Sequence, residues 1–100
     1  MLNVFAVHVA KEGMRPAAMK EFDAILFLVR AEAGCSEYVL AIDIENSPAS
    51  VTTLGPNSFV VVEKWATREA LEAHAASKHM IQLRARIEAF IQARSFFVVG

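Results

Sequence analysis

Glu63 and His74 are titratable residues that fall at positions where the sequence pattern predicts apolar side chains. Glu63 lies in the middle of a strand-like run, residues 59–65, and His74 follows the spacing of an apolar helical face. An imidazole, with an ordinary pKa of about 6.5, can take a phenolic or enolic proton at neutral pH, and a carboxylate within reach would orient the ring. A buried carboxylate is costly unless it is paired. The pattern therefore predicts that Glu63 and His74 meet as an acid–base pair.

Each candidate residue also has a purely structural interpretation. A histidine on an apolar face, such as His74, is often a core residue bonded to a carbonyl, and Trp65 at the end of a buried strand suits the core as well. His8 could be a strand residue with a local partner, and His79 could cap a helix or contact a partner chain. His74 and His79 stand five residues apart, not the four that place two ligands on one helix face, so the sequence predicts no metal site.

Composition and charge exclude several functional classes. One hundred residues fit a single domain, residues 1–100. The chain has ten basic and eleven acidic residues, and neither sign forms a run. The sequence therefore predicts no basic surface that would bind nucleic acid or an anionic membrane. Nucleotide-binding glycine loops and the GxSxG elbow of serine hydrolases are absent. Cys35 is the single cysteine and cannot form a disulfide within the chain, which fits a reducing compartment. The first residues lack the features of a signal peptide, and no apolar stretch reaches the ~20 residues needed to cross a membrane. We therefore expect a soluble cytoplasmic protein.

Strand signals occur four times and predict one sheet. Runs rich in β-branched and aromatic residues, bounded by turn residues, mark each strand. The second and third strands should form an antiparallel hairpin, and residues 51–54 between them could be a short edge strand or plain loop. The predicted strands are Leu2–Ala10, residues 36–44, residues 59–65 and residues 96–99.

The first helical segment lies between the first two strands. Its apolar residues recur at steps of four, three and four, which is the spacing of one helical face. Pro16 suits the first turn, where its missing N–H is not needed, and Gly34 suits the position just past the helix end. The predicted core positions are Ala18, Phe22, Ile25 and Val29.

The second helical segment comes in two pieces. Thr67 is a good N-cap for the first piece, and Ser77 can cap a further piece, residues 78–91, after a kink. The residues expected on the inward faces of the two pieces are Ala70, Leu71, His74, Ala75, Met80, Leu83, Ile87 and Phe90.

The order βαββαβ predicts an α+β, ferredoxin-like domain with an antiparallel sheet and both helices on one face. A sheet with one wet face should alternate apolar and polar residues, yet the first strand has Val4 on one side and Phe5 and Val7 on the other. Helices cover only one face, and a large exposed apolar face is rare on a soluble monomer. We therefore expect a homodimer through the open sheet face. The alternative is a monomer in which the connection at residues 45–58 folds over that face.

Three segments of the sequence together resemble a known family: EAGCSEY at residues 32–38, FVVVEKWATREALEAH at residues 59–74 and SKHM at residues 77–80. They are similar to the antibiotic biosynthesis monooxygenase family, whose members are dimeric α+β barrels formed by two ferredoxin-like domains. The resemblance covers essentially the whole chain. It implies the dimer that the two apolar sheet faces predict on separate grounds, but it does not select one activity within the family.

The branches of this family differ in their site residues. In the haem-degrading branch, the resemblance implies Asn, Trp and His near Ala6, His74 and Arg84, and none of the three matches. In the polyketide-oxidising branch, Trp65 matches the family's Trp, but Val61 stands where an Asn is expected. The strand geometry of that branch turns odd-numbered residues around Val61 toward the cavity. The predicted site comprises the catalytic residues His74, Glu63 and Trp65 and the substrate-binding residues His8, Tyr38, Val61, Leu71 and His79.

The resemblance implies a cofactor-independent monooxygenase that oxidises a small aromatic, quinol-like or polyphenol-like substrate with O₂. A base removes a proton, the substrate anion passes an electron to O₂, and the pocket holds the radical pair while the carbon–oxygen bond forms. Two alternatives stay open. One is a dimeric barrel that binds a small ligand without turnover, and the other is an isomerase of a small carbonyl compound that uses Glu63 and His74 for enolisation.

Overall fold

The computed structural model describes all residues, 1–100, and is built on a four-stranded antiparallel sheet. The strands follow the order β2-β3-β1-β4, so β2 and β4 form the edges. No helix has both the length and the apolar character needed to span a membrane. The elements are β1 (Leu2–Ala10), α1 (Arg15–Arg30), β2 (Cys35–Ala41), β3 (Ser58–Trp65), α2 (Arg68–Ala75), α3 (Lys78–Ile87), a short 3-10 turn (Glu88–Phe90) and β4 (Ile91–Val99).

One face of the sheet and the helices enclose the core. Alternate residues of β1 and β3 are buried against the helices, because successive side chains of a strand point to opposite faces. The predicted four-residue stripe of α1 is buried in full. Thr67 and Ser77 cap α2 and α3 by accepting hydrogen bonds from backbone N–H groups of their first turns. The predicted ferredoxin-like α+β architecture is confirmed, with the second helix divided in two. The core residues contributed by the helices are Ala18, Phe22, Ile25, Val29, Met80, Leu83 and Ile87.

The other face of the sheet carries apolar side chains that stay exposed or half-buried. Val7 lies directly opposite Val60, and Phe5 lies opposite Phe97, so these side chains form neighbouring pairs across three strands. Phe5 is 39% exposed and Phe97 is 54% exposed, while Val7 and Val60 are half-buried. We call the surface formed by these four residues the open face. The predicted apolar character of both sheet faces is therefore present in the structure.

Strand β2 is shorter than its sequence signal. It ends at Ala41 and does not continue to residue 44, because the chain turns away toward a long connection. The Asp43 carboxylate accepts hydrogen bonds from the backbone N–H groups of Leu54 and Gly55, at 2.8 and 2.9 Å. This contact folds the connection back on itself, and residues 51–54 form a loop, not an edge strand.

Strand β4 is longer than its sequence signal, since it begins at Ile91 and not at residue 96. It pairs along the length of β1, from Asn3 opposite Val99 to Ala10 opposite Ile91. This pairing satisfies backbone groups on one side of β1 that would otherwise face no partner. The predicted helix over residues 78–91 is wrong in its last turn, because the chain must leave the helix layer at Ile87 to enter this strand.

The sequence predicted that Gly34 directly follows the end of α1. This prediction is wrong. The helix ends at Arg30, and residues 31–34 form a turn that brings Cys35 opposite Trp65. Gly34 has a φ of +83°, which L side chains rarely adopt. A Cβ atom at this position would lie 2.7 Å from the Cβ atom of Ala70 on α2. The turn therefore needs glycine for its backbone conformation and for the close approach of α2.

We expect Gly34→Ala to lower the free energy of unfolding by about 2–4 kcal/mol, because it adds the left-handed strain of an L residue to the contact with Ala70. Gly13→Ala is the matched control, since Gly13 has a φ of +77° but nothing within 4 Å of an added Cβ. It should lose only about 1–2 kcal/mol. Denaturant unfolding of both variants measures the difference. Equal losses would contradict the close packing of α2 on the turn.

Candidate active site

A cavity of about 290 Å³ lies between the sheet and the helices. Its wall takes residues from all four strands and from all three α-helices, and 12 of the 17 lining residues are hydrophobic. A mostly apolar wall with a few converging polar groups is typical of a small-molecule site. The other five lining residues are His8, Glu63, His74, Arg84 and Arg94, and Tyr38 adds a hydroxyl group to the hydrophobic set.

Glu63 is held in the wall by its position in β3, where odd-numbered residues turn inward. Its Oε1 atom accepts a hydrogen bond of 2.9 Å from the indole Nε1–H of Trp65. Burial raises the pKa of the Glu63 carboxyl from 4.5 to about 7, an effect opposed by the Trp65 hydrogen bond and reinforced by the nearby Glu32 carboxylate. Both protonation states of Glu63 are therefore populated at neutral pH.

His74 lies on the buried side of α2, and a carboxylate fixes its ring. Its Nδ1 atom lies 2.7 Å from Oε2 of Glu32. Burial lowers the pKa of His74 below 6.5, although the Glu32 hydrogen bond opposes this shift. The neutral imidazole therefore donates Nδ1–H to Glu32 and keeps a free lone pair on Nε2. Since Nε2 lies 3.9 Å from Oε1 of Glu63, the two predicted residues are neighbours but not hydrogen-bonded.

Glu32 is a candidate site residue that the sequence patterns do not indicate. The predicted role of Glu63 in orienting His74 belongs instead to Glu32, which lies in the turn after α1 and 42 positions earlier in the chain than His74. A turn glutamate carries no periodic signal, so neither strand nor helix patterns point to it. The one available signal was its place at the start of the family-like segment at residues 32–38.

Glu32, His74 and His79 are the group best placed to hold a divalent cation, since their ligand atoms lie within 4.8 Å of one another. The spacing rule for two ligands on one helix face does not apply to His74 and His79, because the break before Ser77 places them on α2 and α3. His79 Nε2 lies 3.2 Å from the same Glu32 oxygen that His74 contacts at 2.7 Å. Both separations are those of hydrogen bonds onto one carboxylate.

Trp65 and His79 lie outside the cavity wall. Trp65 is fully buried, and its ring centroid lies 4.5 Å from that of His74. It donates to Glu63 and packs against His74, so it positions both groups without reaching the cavity. His79 contacts the site only through Glu32. Both residues therefore contact the candidate acid–base group and do not line the cavity.

The remaining predicted residues, His8, Tyr38, Val61 and Leu71, all line the cavity. The Nδ1 atom of His8 lies 3.1 Å from the backbone oxygen of Ala6. Burial lowers the pKa of His8 to about 4, so its ring is neutral at pH 7. Burial, with smaller effects of the Glu63 and Glu32 carboxylates, raises the pKa of Tyr38, whose hydroxyl remains a hydrogen-bond donor.

Stability is expected to fall as the pH rises through the titration of Glu63. The folded chain holds this proton up to about pH 7, whereas the unfolded chain releases it near the ordinary value of 4.5, so raising the pH favours unfolding. Glu63→Gln removes this titration. The free energy of unfolding of the variant, minus that of the parent chain, should therefore increase between about pH 5 and about pH 8, by at most about 3 kcal/mol. Chemical unfolding at both pH values measures the gain. Glu45→Gln, at an exposed loop position, is the control and should show no such change.

Comparison with known proteins gives consistent matches over most of the chain. A family model described as antibiotic biosynthesis monooxygenase matches residues 1–86. The probable quinol monooxygenase YgiN of Escherichia coli K12 is 33% identical over 82 residues, which cover 80% of this chain and 78% of that protein. The crystal structure of PA3566 from Pseudomonas aeruginosa is 28% identical with a TM-score of 0.80, covering 98% of this chain and 90% of that one. A crystal structure of an antibiotic biosynthesis monooxygenase is 25% identical with a TM-score of 0.81, covering 100% and 97% of the two chains.

Proposed function

Because the chain belongs to the antibiotic biosynthesis monooxygenase family, we propose that it oxidises a small, electron-rich aromatic substrate of the quinol type with O₂ and without a cofactor. The observation that carries the proposal is the neutral imidazole of His74, fixed by Glu32 at Nδ1 and facing an apolar cavity with a free lone pair. A cavity of about 290 Å³ suits a molecule of one or two rings, because it lies just below the ~300–1,000 Å³ range of ligand sites. The quinol in the name of the Escherichia coli relative supports the substrate class.

The proposed reaction begins with proton transfer from a substrate hydroxyl to Nε2 of His74. The resulting anion passes one electron to O₂, and the semiquinone and superoxide then combine to form a carbon–oxygen bond. The peroxide takes one proton and loses water: its O–O bond breaks, one oxygen stays on the carbon, and the other leaves in the water. A quinol and O₂ thus give a hydroxyquinone and one water, with O₂ as the oxidant.

The chain's own residues supply proton handling and a dry environment in this scheme. The Glu32 carboxylate holds the His74 ring in one tautomer and stabilises the imidazolium that forms. Glu63, with its pKa raised to about 7, can hold a proton at neutral pH and give it to the departing oxygen. The apolar wall limits water around the radical pair. Two titratable groups therefore take the base role and the acid role.

The partner in this proposal is a second copy of the chain, bound through the open face. Phe5 and Phe97 leave this face apolar and exposed in the single chain. The connection between β2 and β3 does not bury its own apolar side chains there, since Ile44 is 71% exposed and Val51 is 50% exposed. Sheet-on-sheet packing of two open faces would bury the pairs that Val7, Val60 and their neighbours form.

Oxygen consumption with 1,4-naphthoquinol tests the function. Catalase and superoxide dismutase in the assay suppress autoxidation, and heat-denatured protein gives the background. With labelled O₂ we expect one labelled atom in the hydroxyquinone and the other in water. A protein that binds the quinol and gains thermal stability without consuming O₂ above background would be a binding module. Turnover of a small ketone without O₂ would instead favour an isomerase.

A further inference from the structure

Two arginines line the cavity, one from each layer of the fold. Arg84 comes from α3 and Arg94 comes from β4. The register of β4 places Arg94 directly opposite His8, which lines the same cavity, so its side chain leaves the sheet on the helix side. Both arginines line the cavity and are also exposed to solvent, as expected for residues at its entrance.

Neither arginine has a carboxylate partner, in contrast to two others on the helices. Arg68 pairs with Glu72 and Arg86 pairs with Glu21, each at 3.0 Å. Arg84 donates one hydrogen bond of 2.8 Å to the backbone oxygen of residue 75, and its remaining donors have no partner in the chain. Arg94 makes neither a salt bridge nor a side-chain hydrogen bond. Two arginines therefore line the cavity with most of their guanidinium donors free of partners in the chain.

The charge of the cavity wall is positive at neutral pH. The one acidic lining residue is Glu63, whose raised pKa leaves it only partly ionised. His8 and His74 are neutral because burial lowers the pKa of each, and the charges of Arg94 and Arg84 lower them further. Among the lining residues, the two arginines therefore carry two positive charges, whereas Glu63 carries at most one negative charge. The charge of Arg94 acts on His8, and the charge of Arg84 acts on His74.

We propose that Arg84 and Arg94 bind a carboxylate on the aromatic substrate, so that the substrate class is a small arene carboxylic acid. The apolar wall takes the ring, and Phe96, which lies between the β4 positions of Arg94 and Val98 on the cavity side, offers an exposed aromatic surface for it. A planar guanidinium matches a carboxylate through two parallel hydrogen bonds. The ring hydroxyl is then left for Nε2 of His74. This assignment rests on the proposed function, and it specifies which quinols the site accepts.

A pair of ligands that differ in charge and hardly in shape tests the assignment by calorimetry. The chain should bind 3-hydroxybenzoate about tenfold more tightly than 3-hydroxybenzamide, since charge-assisted hydrogen bonds are roughly twice as strong as neutral ones. Arg84→Gln and Arg94→Gln should each reduce this preference about threefold, and the double variant should abolish it. Arg68→Gln is the control, because Arg68 is exposed and lies outside the cavity wall. It should keep the preference of the parent chain.

Salt dependence provides a second readout that needs no variant. The preference for the benzoate should shrink as the ionic strength rises, because exposed guanidinium groups are screened. Equal affinity for the two ligands, binding of neither at millimolar concentration, or a preference that survives in the double variant would each overturn the assignment. Neither ligand is a quinol, so these results do not depend on oxygen consumption. If the chain prefers the benzoate but oxidises no quinol, the anion site is supported and the proposed oxidation is contradicted.

Discussion

His74→Ala is expected to lose about 100-fold or more of the quinol-oxidising rate, the usual scale for removal of a general base. Because Glu32 accepts from Nδ1, the lone pair of the neutral His74 ring lies at Nε2. No other neutral nitrogen of the wall has a carboxylate partner, since His8 bonds to a backbone oxygen. Circular dichroism and sedimentation should show an unchanged fold and assembly. A variant as active as the parent chain would remove His74 as the base.

Two further variants separate base from orientation. Glu32→Gln keeps a hydrogen-bond acceptor for Nδ1 but removes the charge that stabilises the imidazolium, so we expect about a tenfold loss. Glu63→Gln should lose less than His74→Ala, because the amide oxygen still accepts from Trp65 and the amide N–H can hydrogen-bond to the departing oxygen, so that only the transferable proton is lost. If Glu32→Gln and Glu63→Gln both matched His74→Ala, the three residues would act as one unit and the separate roles would be wrong.

The pH profile follows from the two shifted groups. The rate should rise with pH below 6.5, as His74 loses its proton, because only the neutral ring can act as a base. It should fall above about pH 7, as Glu63 loses the proton that it donates to the departing oxygen. Glu63→Gln should remove the fall at high pH and keep the rise at low pH. A profile unchanged in this variant would contradict the acid role of Glu63.

Val60→Asp is expected to convert a dimer into a monomer. The parent chain should sediment at twice the chain mass of 11.0 kDa, and the variant at the mass of one chain. Val60 pairs with Val7 within the open face, where a dimer would remove a new carboxylate from water at a penalty of several kcal/mol. Analytical ultracentrifugation at micromolar concentration measures both masses.

Matched variants keep this test decisive. Val60→Thr has nearly the same shape and no charge, so it should remain a dimer. Val7→Asp places the same charge on the opposite strand and should also dissociate the chains, and circular dichroism shows whether each variant is folded. A parent chain that sediments as a monomer would rule out the assembly. Folded variants that remain dimeric would place the interface on another surface.

Much of the fold could be predicted because its signals are local. The α1 stripe repeats at the period of a helix, and all four predicted positions are buried. β1 has the predicted limits, and Thr67 and Ser77 cap their helices as their side chains predicted. The limits of β2 and β4 were wrong where non-local pairing decides them. The N-terminal half of β4 contains Gln92 and Arg94, and it is a strand because β1 offers an unpaired edge.

The amino-acid sequence by itself determined the order of the elements, the inward side of each, and therefore that Glu63 and His74 share the cavity between sheet and helices. The tertiary structure decided which groups touch. Glu32 reaches His74 only because the turn after α1 lies beside α2, where Gly34 allows the two backbones to approach. Arg94 faces the cavity only because β4 pairs with β1 in one register. Side-chain periodicity depends on backbone geometry over a few residues, whereas these contacts depend on how distant segments pack, which no local pattern records.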